Sequence, residues 1–213
     1  MKYGMWNLGQ IEALLNKVGE DNARKLLDCR EVTVTFDTAD KKATIAAATP
    51  ELTVWKTIKI GTGIKNGKAF CSELEKKDFR IGDWACDMLG QKAFTVATQE
   101  EDVDLVRLSV YDLGFKEGAR YDAICAKALE LGLELCPAEV GPQLRLQYPD
   151  QPRDEWLVIA MEAIRDSGGY LGVFDVDHGY RGRWLSSDDG YLDYFWDADD
   201  RFVFRARKQL MAA

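Results

Sequence analysis

Apolar residues recur along this chain at two different periods, a helical one in some stretches and a period of two in others. The helical period is clearest over residues 121–129, just before Gly132, which sits where a glycine commonly ends a helix. The apolar positions on one face of this predicted helix are Tyr121, Ile124, Cys125, Ala128 and Leu129. We expect residues 119–164 to form the scaffold of the protein, a helix followed by the strands on which it packs.

Alternation of apolar and polar residues predicts strands elsewhere in the chain. Residues 31–38 and 43–49 are interpreted as the two arms of a hairpin around the turn ADKK. Further strands are predicted over 103–110, over the almost unbroken apolar run 156–164, and over 201–208. Apolar and polar residues alternate only imperfectly over 103–110, which is typical of a strand buried on both faces.

The stretch from Pro137 to Tyr148 is predicted to be a rigid connection followed by another strand. Pro137 and Pro142 bracket the residues AEVG, and proline is poor material for a central strand. Beyond the second proline, Leu144, Leu146 and Tyr148 point one way, and Gln143, Arg145 and Gln147 point the other. We therefore expect a polar face over 143–147.

A glycine-rich stretch over residues 61–70 invites comparison with loops that bind phosphate, but its spacing fails. Asn66 stands where the dinucleotide-binding fingerprint needs a glycine, and Thr62 stands where the P-loop needs its first one. The stretch is interpreted as a turn that uses glycine for its conformational freedom. Residues 67–90 then show a helical period with a break near Asp78.

Together these elements predict an α+β fold: a single domain over residues 1–213, with a largely antiparallel sheet and helices on one side. Residues 8–28 hold two short helical patterns and are predicted to form a helical hairpin as an N-terminal appendage. No stretch reads as a linker long enough to divide the chain.

Composition narrows the class of function. Lys and Arg number 28 against 36 Asp and Glu, a net charge of −8, which argues against nucleic acid because such binders need a basic face. No apolar run is long enough for a membrane helix, and the first residues do not form a signal peptide. The five cysteines are odd in number and none forms a C-x-x-C pair, which favours free thiols in a reducing compartment. We expect a soluble, cytoplasmic protein.

Catalytic motifs are absent from the sequence. His178 is the only histidine, so a Ser–His or Cys–His arrangement would have to use it. Cys136 is the most suggestive nucleophile, although no known signature surrounds it, and His178 is expected to be an exposed turn residue. A single histidine without paired cysteines argues against zinc, and we expect no metal or other cofactor. A hydrolase using His178 with Cys136 or a carboxylate remains an alternative.

Residues 188–200 are dense in acidic side chains and contain the aromatic run Tyr194, Phe195 and Trp196. The EF-hand pattern is missing, so this stretch is interpreted as a solvated acidic loop rather than a calcium site. The aromatic residues are expected to hold the loop against the body of the protein. Charge alone suggests one further hypothesis, an acidic partner that neutralises a basic protein.

The preferred hypothesis is a non-catalytic module that binds a small anionic ligand or another protein. Arg145, Arg181 and Arg183 are the candidate clamp, because guanidinium groups bind carboxylate and phosphate through paired hydrogen bonds. Trp184 is expected to stack beside the ligand, with His178 nearby. The alternative is that these arginines pair with surface aspartates.

Several stretches resemble a set of uncharacterised bacterial proteins. They are GQIEALLNKVG near the start, GARYDAICAKALELGLELCPAEVGPQLRLQY in the centre, and EWLVIAMEAI, RGRWL and RFVFRARK towards the end. The resemblance covers the N-terminal helical pair and most of residues 105–208. It implies no activity, ligand or residue role.

Overall fold

The computed structural model describes residues 52–207 in full and, before them, the backbone of two strands. The chain divides into two compact units, residues 1–51 and 52–213. In the first unit, β1 (Val32–Phe36) pairs antiparallel with β2 (Ala43–Ala47), which confirms the predicted hairpin. The predicted helical hairpin over 8–28 lies outside the described residues.

The described part of the second unit is an α+β structure. Its helices are α1 (Gly67–Lys76), α2 (Asp83–Gly90), α3 (Tyr121–Glu130) and α4 (Val140–Gln147). Its longer strands are β3 (Lys56–Ile60), β5 (Glu101–Ser109), β8 (Trp156–Ile159), β10 (Leu171–Gly179), β11 (Gly182–Asp189) and β13 (Arg201–Ala206). Short strands are β4 (Arg80–Ile81), β6 (Ala119–Arg120), β7 (Leu133–Glu134), β9 (Ile164–Arg165) and β12 (Phe195–Trp196).

Nine of these strands form one sheet in the order β3-β5-β13-β8-β10-β11-β4, with β7 beside β13 and β9 beside β10. Only the pairs β13–β8 and β11–β4 are parallel within it. The prediction of a largely antiparallel sheet is therefore confirmed. The last strand, β13, lies in the interior of the sheet and joins β5 to β8.

Helices pack on both faces of this sheet, so the prediction of helices on one side is wrong. Phe174 in β10 contacts α4, because a Cβ added to Gly141 would lie 2.7 Å from the Phe174 Cβ. Phe202 stacks with Tyr121, the first residue of α3, at a ring-centroid distance of 6.0 Å. Phe202, Val158 and Asp175 are partners on neighbouring strands and therefore share one face of the sheet. Phe174 precedes Asp175 and points to the other face, because side chains alternate along a strand. Helices α3 and α4 thus lie on opposite faces.

The stretch 143–147 belongs to helix α4 and is not the predicted strand. Pro142 is the third residue of the helix, within the first turn, where the backbone N–H groups lack intrahelical partners and proline is tolerated. Every residue from Val140 to Leu146 is buried, so the apparent alternation of apolar and polar residues did not report an exposed face.

The helical periods over 67–90 and 121–129 are confirmed. The break near Asp78 separates α1 from α2, and Asp78 itself has a φ of 59°. In α3, Tyr121, Ile124 and Ala128 are buried as predicted, whereas Leu129 is 50% exposed. The glycine-rich stretch before α1 ends in a helix cap, because the Asn66 side chain accepts a hydrogen bond from the Ala69 N–H at 3.0 Å.

The acidic stretch runs along the surface between β11 and β13. Trp196 holds it in place, since this side chain is only 2% exposed and packs edge-on against Phe202 at 5.0 Å between ring centroids. Tyr194 and Phe195 remain exposed. Within the aromatic run 194–196, Trp196 therefore anchors the stretch to the core.

Candidate functional site

Helix α4 carries polar side chains on two roughly opposite sides. Glu139, Gln143 and Gln147 follow one another at intervals of four residues and so share one side of the helix. Arg145, two residues from Gln143, projects from the other side. A strand would have placed all the odd-numbered residues on one face, so the predicted polar face over 143–147 does not exist.

Glu139 fastens two loops to the beginning of α4. It is 1% exposed, and its carboxylate accepts hydrogen bonds from the Gly61 N–H at 2.8 Å and the Ala97 N–H at 2.7 Å. Gln143 donates to the same carboxylate at 3.0 Å and to the Thr62 hydroxyl at 2.7 Å. The glycine-rich loop is thus bound by side chains of α4.

Arg145 is completely buried on the opposite side of the helix. Its guanidinium donates hydrogen bonds to the Gln151 side chain, to the Tyr148 carbonyl and, at 3.2 Å, to the Asp177 carbonyl. The ring of Phe79 lies 4.9 Å from the guanidinium carbon. The Nε atom of Arg145 is buried and has no hydrogen-bond partner within the described part of the chain.

Arg145 has no carboxylate within ion-pair distance among residues 52–207. Burial, followed by the positive charge of Arg183, lowers the pKa of Arg145 to about 10, so the group is still charged at neutral pH. A buried charge without a counter-ion is unfavourable by several kcal/mol, on the order of the desolvation penalty of an ion. The charges of Asp177 and Glu155 offset part of this cost from beyond ion-pair distance.

His178 and Arg183 lie directly opposite each other on the β10–β11 hairpin. Arg183 is half-buried, its Nε is enclosed, and none of its nitrogens bonds to another described residue. The Nδ1 of His178 lies 2.7 Å from the Gln151 carbonyl oxygen, which accepts a hydrogen bond from it and leaves Nε2 for another partner. The expectation of an exposed turn histidine is wrong, because His178 is half-buried within a strand.

Gln151 links these groups and was not singled out from the sequence. Its side-chain amide accepts a hydrogen bond from Arg145 and donates to the carbonyls of Glu155 and Val176, both at 3.1 Å, and its backbone carbonyl accepts from His178. Gln151 is only 1% exposed, although it lies in the connection between α4 and β8, bracketed by Pro149 and Pro152. A buried amide with all its groups bonded fixes its neighbours in one arrangement.

The remaining predicted clamp residues lie elsewhere. Trp184 points to the opposite face from its neighbour Arg183, where the Arg80 guanidinium lies 5.4 Å from its ring centroid. Arg181 is exposed in the two-residue turn between β10 and β11. The structure therefore brings Arg145, Arg183 and His178 together and leaves Trp184 and Arg181 outside this cluster, which we call the Arg–His cluster.

The structure keeps Cys136 away from His178. The Cys136 N–H donates to the Ala160 carbonyl, and the His178 N–H donates to the Glu155 carbonyl at the other end of β8. Five residues of extended chain separate these points, roughly 16 Å at about 3.3 Å per residue. Cys136 is also buried, and burial raises the pKa of its thiol.

The other face of β10 carries carboxylates. Asp175 is 2% exposed, and burial, helped by the charges of Asp177 and Asp188, raises its pKa well above the ordinary value. Burial also raises the pKa of Asp177, whose carboxylate accepts hydrogen bonds from the Gly179 N–H and the Ser186 hydroxyl. Over residues 52–207 no three His, Cys, Asp or Glu side chains are grouped as metal ligands would be.

Comparisons with known proteins add no residue roles: no family model, no curated protein and no solved structure matches this chain. The resemblance to uncharacterised bacterial proteins stays a prediction. Among the helices that the structure describes, none has the length and apolar character needed to cross a membrane.

Proposed function

We propose that this protein is a non-catalytic binding module that holds a small anion at the Arg–His cluster. Arg183 and His178 contact the anion from the β10–β11 hairpin, and Arg145 acts from beneath through its charge. The observation that carries this proposal is the pair of neighbouring guanidinium groups without an ion-pair partner among residues 52–207. Carboxylate and phosphate groups are the matching ligands.

Burial assigns Arg145 a supporting role. Its two terminal nitrogens are already bonded to Gln151, Tyr148 and Asp177, and its Nε is enclosed, so it holds the hairpin in place and supplies positive potential. Arg183 is half-buried and its guanidinium donors have no partner among residues 52–207, and the His178 ring is fixed by its bond to Gln151. A guanidinium and an imidazole held rigidly side by side lose little conformational freedom when an anion binds.

Thermal unfolding with a panel of anions tests this function. Phosphate, citrate, a dicarboxylate and a nucleoside monophosphate would be titrated against chloride at equal ionic strength. A ligand that binds the folded state raises Tm with concentration, by mass action. We expect at least one member of the panel to raise the Tm of the wild-type protein beyond the chloride control.

Two variants separate binding from general charge effects. Arg183→Gln should abolish the anion-dependent rise in Tm. Arg201→Gln removes an exposed arginine from β13 and should leave the anion-dependent rise in Tm unchanged. Equal shifts in all three proteins, or no shift with any anion, would refute the proposal.

We also propose a cytoplasmic location. It is supported by the odd number of cysteines in the sequence and by the lack of a C-x-x-C pair, which favour free thiols in a reducing compartment. Fractionation of the native host with an antibody against the protein tests it, and recovery from an extracellular or envelope fraction would contradict it. The hydrolase that pairs His178 with a carboxylate, and the acidic partner of a basic protein, stay predictions.

A further inference from the structure

Two cysteines from different helices lie in contact at the surface. The Sγ atoms of Cys71 in α1 and Cys86 in α2 are 3.5 Å apart. The two helices approach closely here, since a Cβ added to Gly67 would lie 1.9 Å from the Leu89 carbonyl oxygen. This backbone proximity positions the thiols, and only a small further approach separates them from the S–S bond length of about 2.05 Å.

We propose that Cys71 and Cys86 are a redox-active dithiol, a modification site that closes reversibly into a disulfide bond. The proposal goes beyond anion binding and does not depend on it. Cys86 is exposed and Cys71 is half-buried.

The difference in exposure gives the two thiols different roles. Cys86 is accessible to a low-molecular-weight disulfide such as glutathione disulfide, so it reacts first. Burial, followed by the hydrogen bond with Cys86, raises the pKa of Cys71 to about 12, which protects this thiol from direct attack. Cys71 is then placed to resolve the adduct that forms on Cys86.

The reaction balances as two thiol–disulfide exchanges. The Cys86 thiolate attacks one sulfur of glutathione disulfide, forms a mixed disulfide and releases one glutathione thiolate. Cys71 loses its proton to solvent and attacks the Cys86 sulfur, which forms the protein disulfide and releases a second glutathione thiolate. The two protein thiols are oxidised and one molecule of glutathione disulfide is reduced.

The bond would close a loop that carries part of the sheet. Residues between the two cysteines include Phe79, which contacts Arg145, and β4, which pairs with β11 at Trp184 and Leu185. Oxidation would therefore close residues 71–86 into a covalent loop and restrict the movement of Phe79 against Arg145. Reduction would leave that segment held by packing, by the pairing of β4 and by the backbone hydrogen bonds of residues 77–79 to α1.

Peptide mapping of the full chain tests the proposal. The protein would be equilibrated with glutathione disulfide, alkylated, digested with trypsin and analysed by mass spectrometry. We expect peptide 69–76 joined to peptide 81–92, lighter by two hydrogen atoms than the two reduced peptides together. Addition of excess reduced glutathione should restore both alkylated peptides.

Single variants check the order of events. Cys71→Ser should trap glutathione on Cys86, and Cys125→Ser should still yield the joined peptides, with circular dichroism showing that both variants are folded. Complete alkylation of Cys71 and Cys86 after oxidation, or a glutathione adduct that persists on wild-type Cys86, would overturn the proposal.

Discussion

Gln147 pairs with the backbone of Lys59 as a neighbouring strand would. Its Oε1 accepts a hydrogen bond from the Lys59 N–H at 2.9 Å, and its Nε2 donates to the Lys59 carbonyl at 2.7 Å. Lys59 lies in β3, at the edge of the sheet, where unpaired backbone groups would otherwise be free to pair with another chain. One side-chain amide of α4 thus covers part of this edge.

Gln147→Ala should destabilise the protein because it removes both hydrogen bonds and uncovers the edge. We expect the free energy of unfolding to fall by about 1–3 kcal/mol, as for the loss of two hydrogen bonds of ordinary strength. Urea unfolding measures the change. Gln99→Ala alters an exposed glutamine without a hydrogen bond in the described residues and should change stability by less than about 0.5 kcal/mol. Similar losses in both variants would contradict the assignment.

Gly141→Ala should also destabilise the protein, although alanine is the better helix former. The new Cβ would lie 2.7 Å from the Phe174 Cβ and 2.8 Å from two atoms of its ring, so α4 would have to move off the sheet. Overpacking of this kind typically costs about 1–3 kcal/mol.

Gly90→Ala is the matched control for this substitution. It also changes a helical glycine, but nothing lies within 4 Å of the added Cβ. Alanine should therefore be neutral or stabilising there, by up to about 1 kcal/mol. Chemical denaturation would compare the two variants, and a stable Gly141→Ala protein would show that the close approach of α4 to β10 is not required.

Asp175→Asn should make the stability of the protein less dependent on pH. Because burial raises the pKa of Asp175 in the folded state, its contribution is fully present below the unfolded pKa, about 3.9, and is lost as pH rises through the folded pKa. The wild-type protein should therefore lose stability relative to the variant between pH 4 and neutrality. Each unit of pKa difference corresponds to about 1.4 kcal/mol.

Denaturation midpoints measured from pH 4 to pH 8 would test this. The variant should be the more stable protein at pH 7, and its advantage should shrink towards pH 4. The exposed Asp193→Asn should follow the wild-type protein at every pH. If the Asp175 variant instead loses stability at neutral pH, the carboxylate must be ionised and paired.

Oxidation of Cys71 and Cys86 should stabilise the folded chain. A disulfide that closes a loop of 15 residues restricts the unfolded chain by about 3 kcal/mol in the loop-entropy treatment, which sets an upper value here. Unfolding in urea with and without a reductant measures the gain. The double variant Cys71→Ser, Cys86→Ser should unfold at the same midpoint in both conditions, and an unchanged wild-type midpoint would count against the bond.

The elements that follow one clear period were predictable from the sequence. Helix α3 has a single apolar stripe, and its buried residues Tyr121, Ile124 and Ala128 follow that stripe. Helix α4 was mistaken for a strand because Gln143, Arg145 and Gln147 are polar at alternate positions. Each is stabilised by a tertiary partner, so local polarity did not report exposure.

The candidate site was predictable only in part. Arg145, Arg183 and His178 were candidates from their chemistry, but their grouping depends on the pairing of β10 with β11 and on the helical form of α4. Gln151 contacts Arg145 from the connection that follows α4, and Phe79 contacts it from the segment between α1 and α2. The interval of four residues between Glu139, Gln143 and Gln147 was the available signal for the helix.

The position of β13 has a consequence for synthesis on the ribosome. Because β13 joins β5 to β8, the strands made earlier form two separate groups, β3 with β5 and β8 with β10 and β11. The sheet cannot be completed until residues 201–206 have emerged from the exit tunnel. Until then the nascent chain must keep the apolar edges of these two groups from aggregating, and chaperones that bind such edges would act on it during this interval.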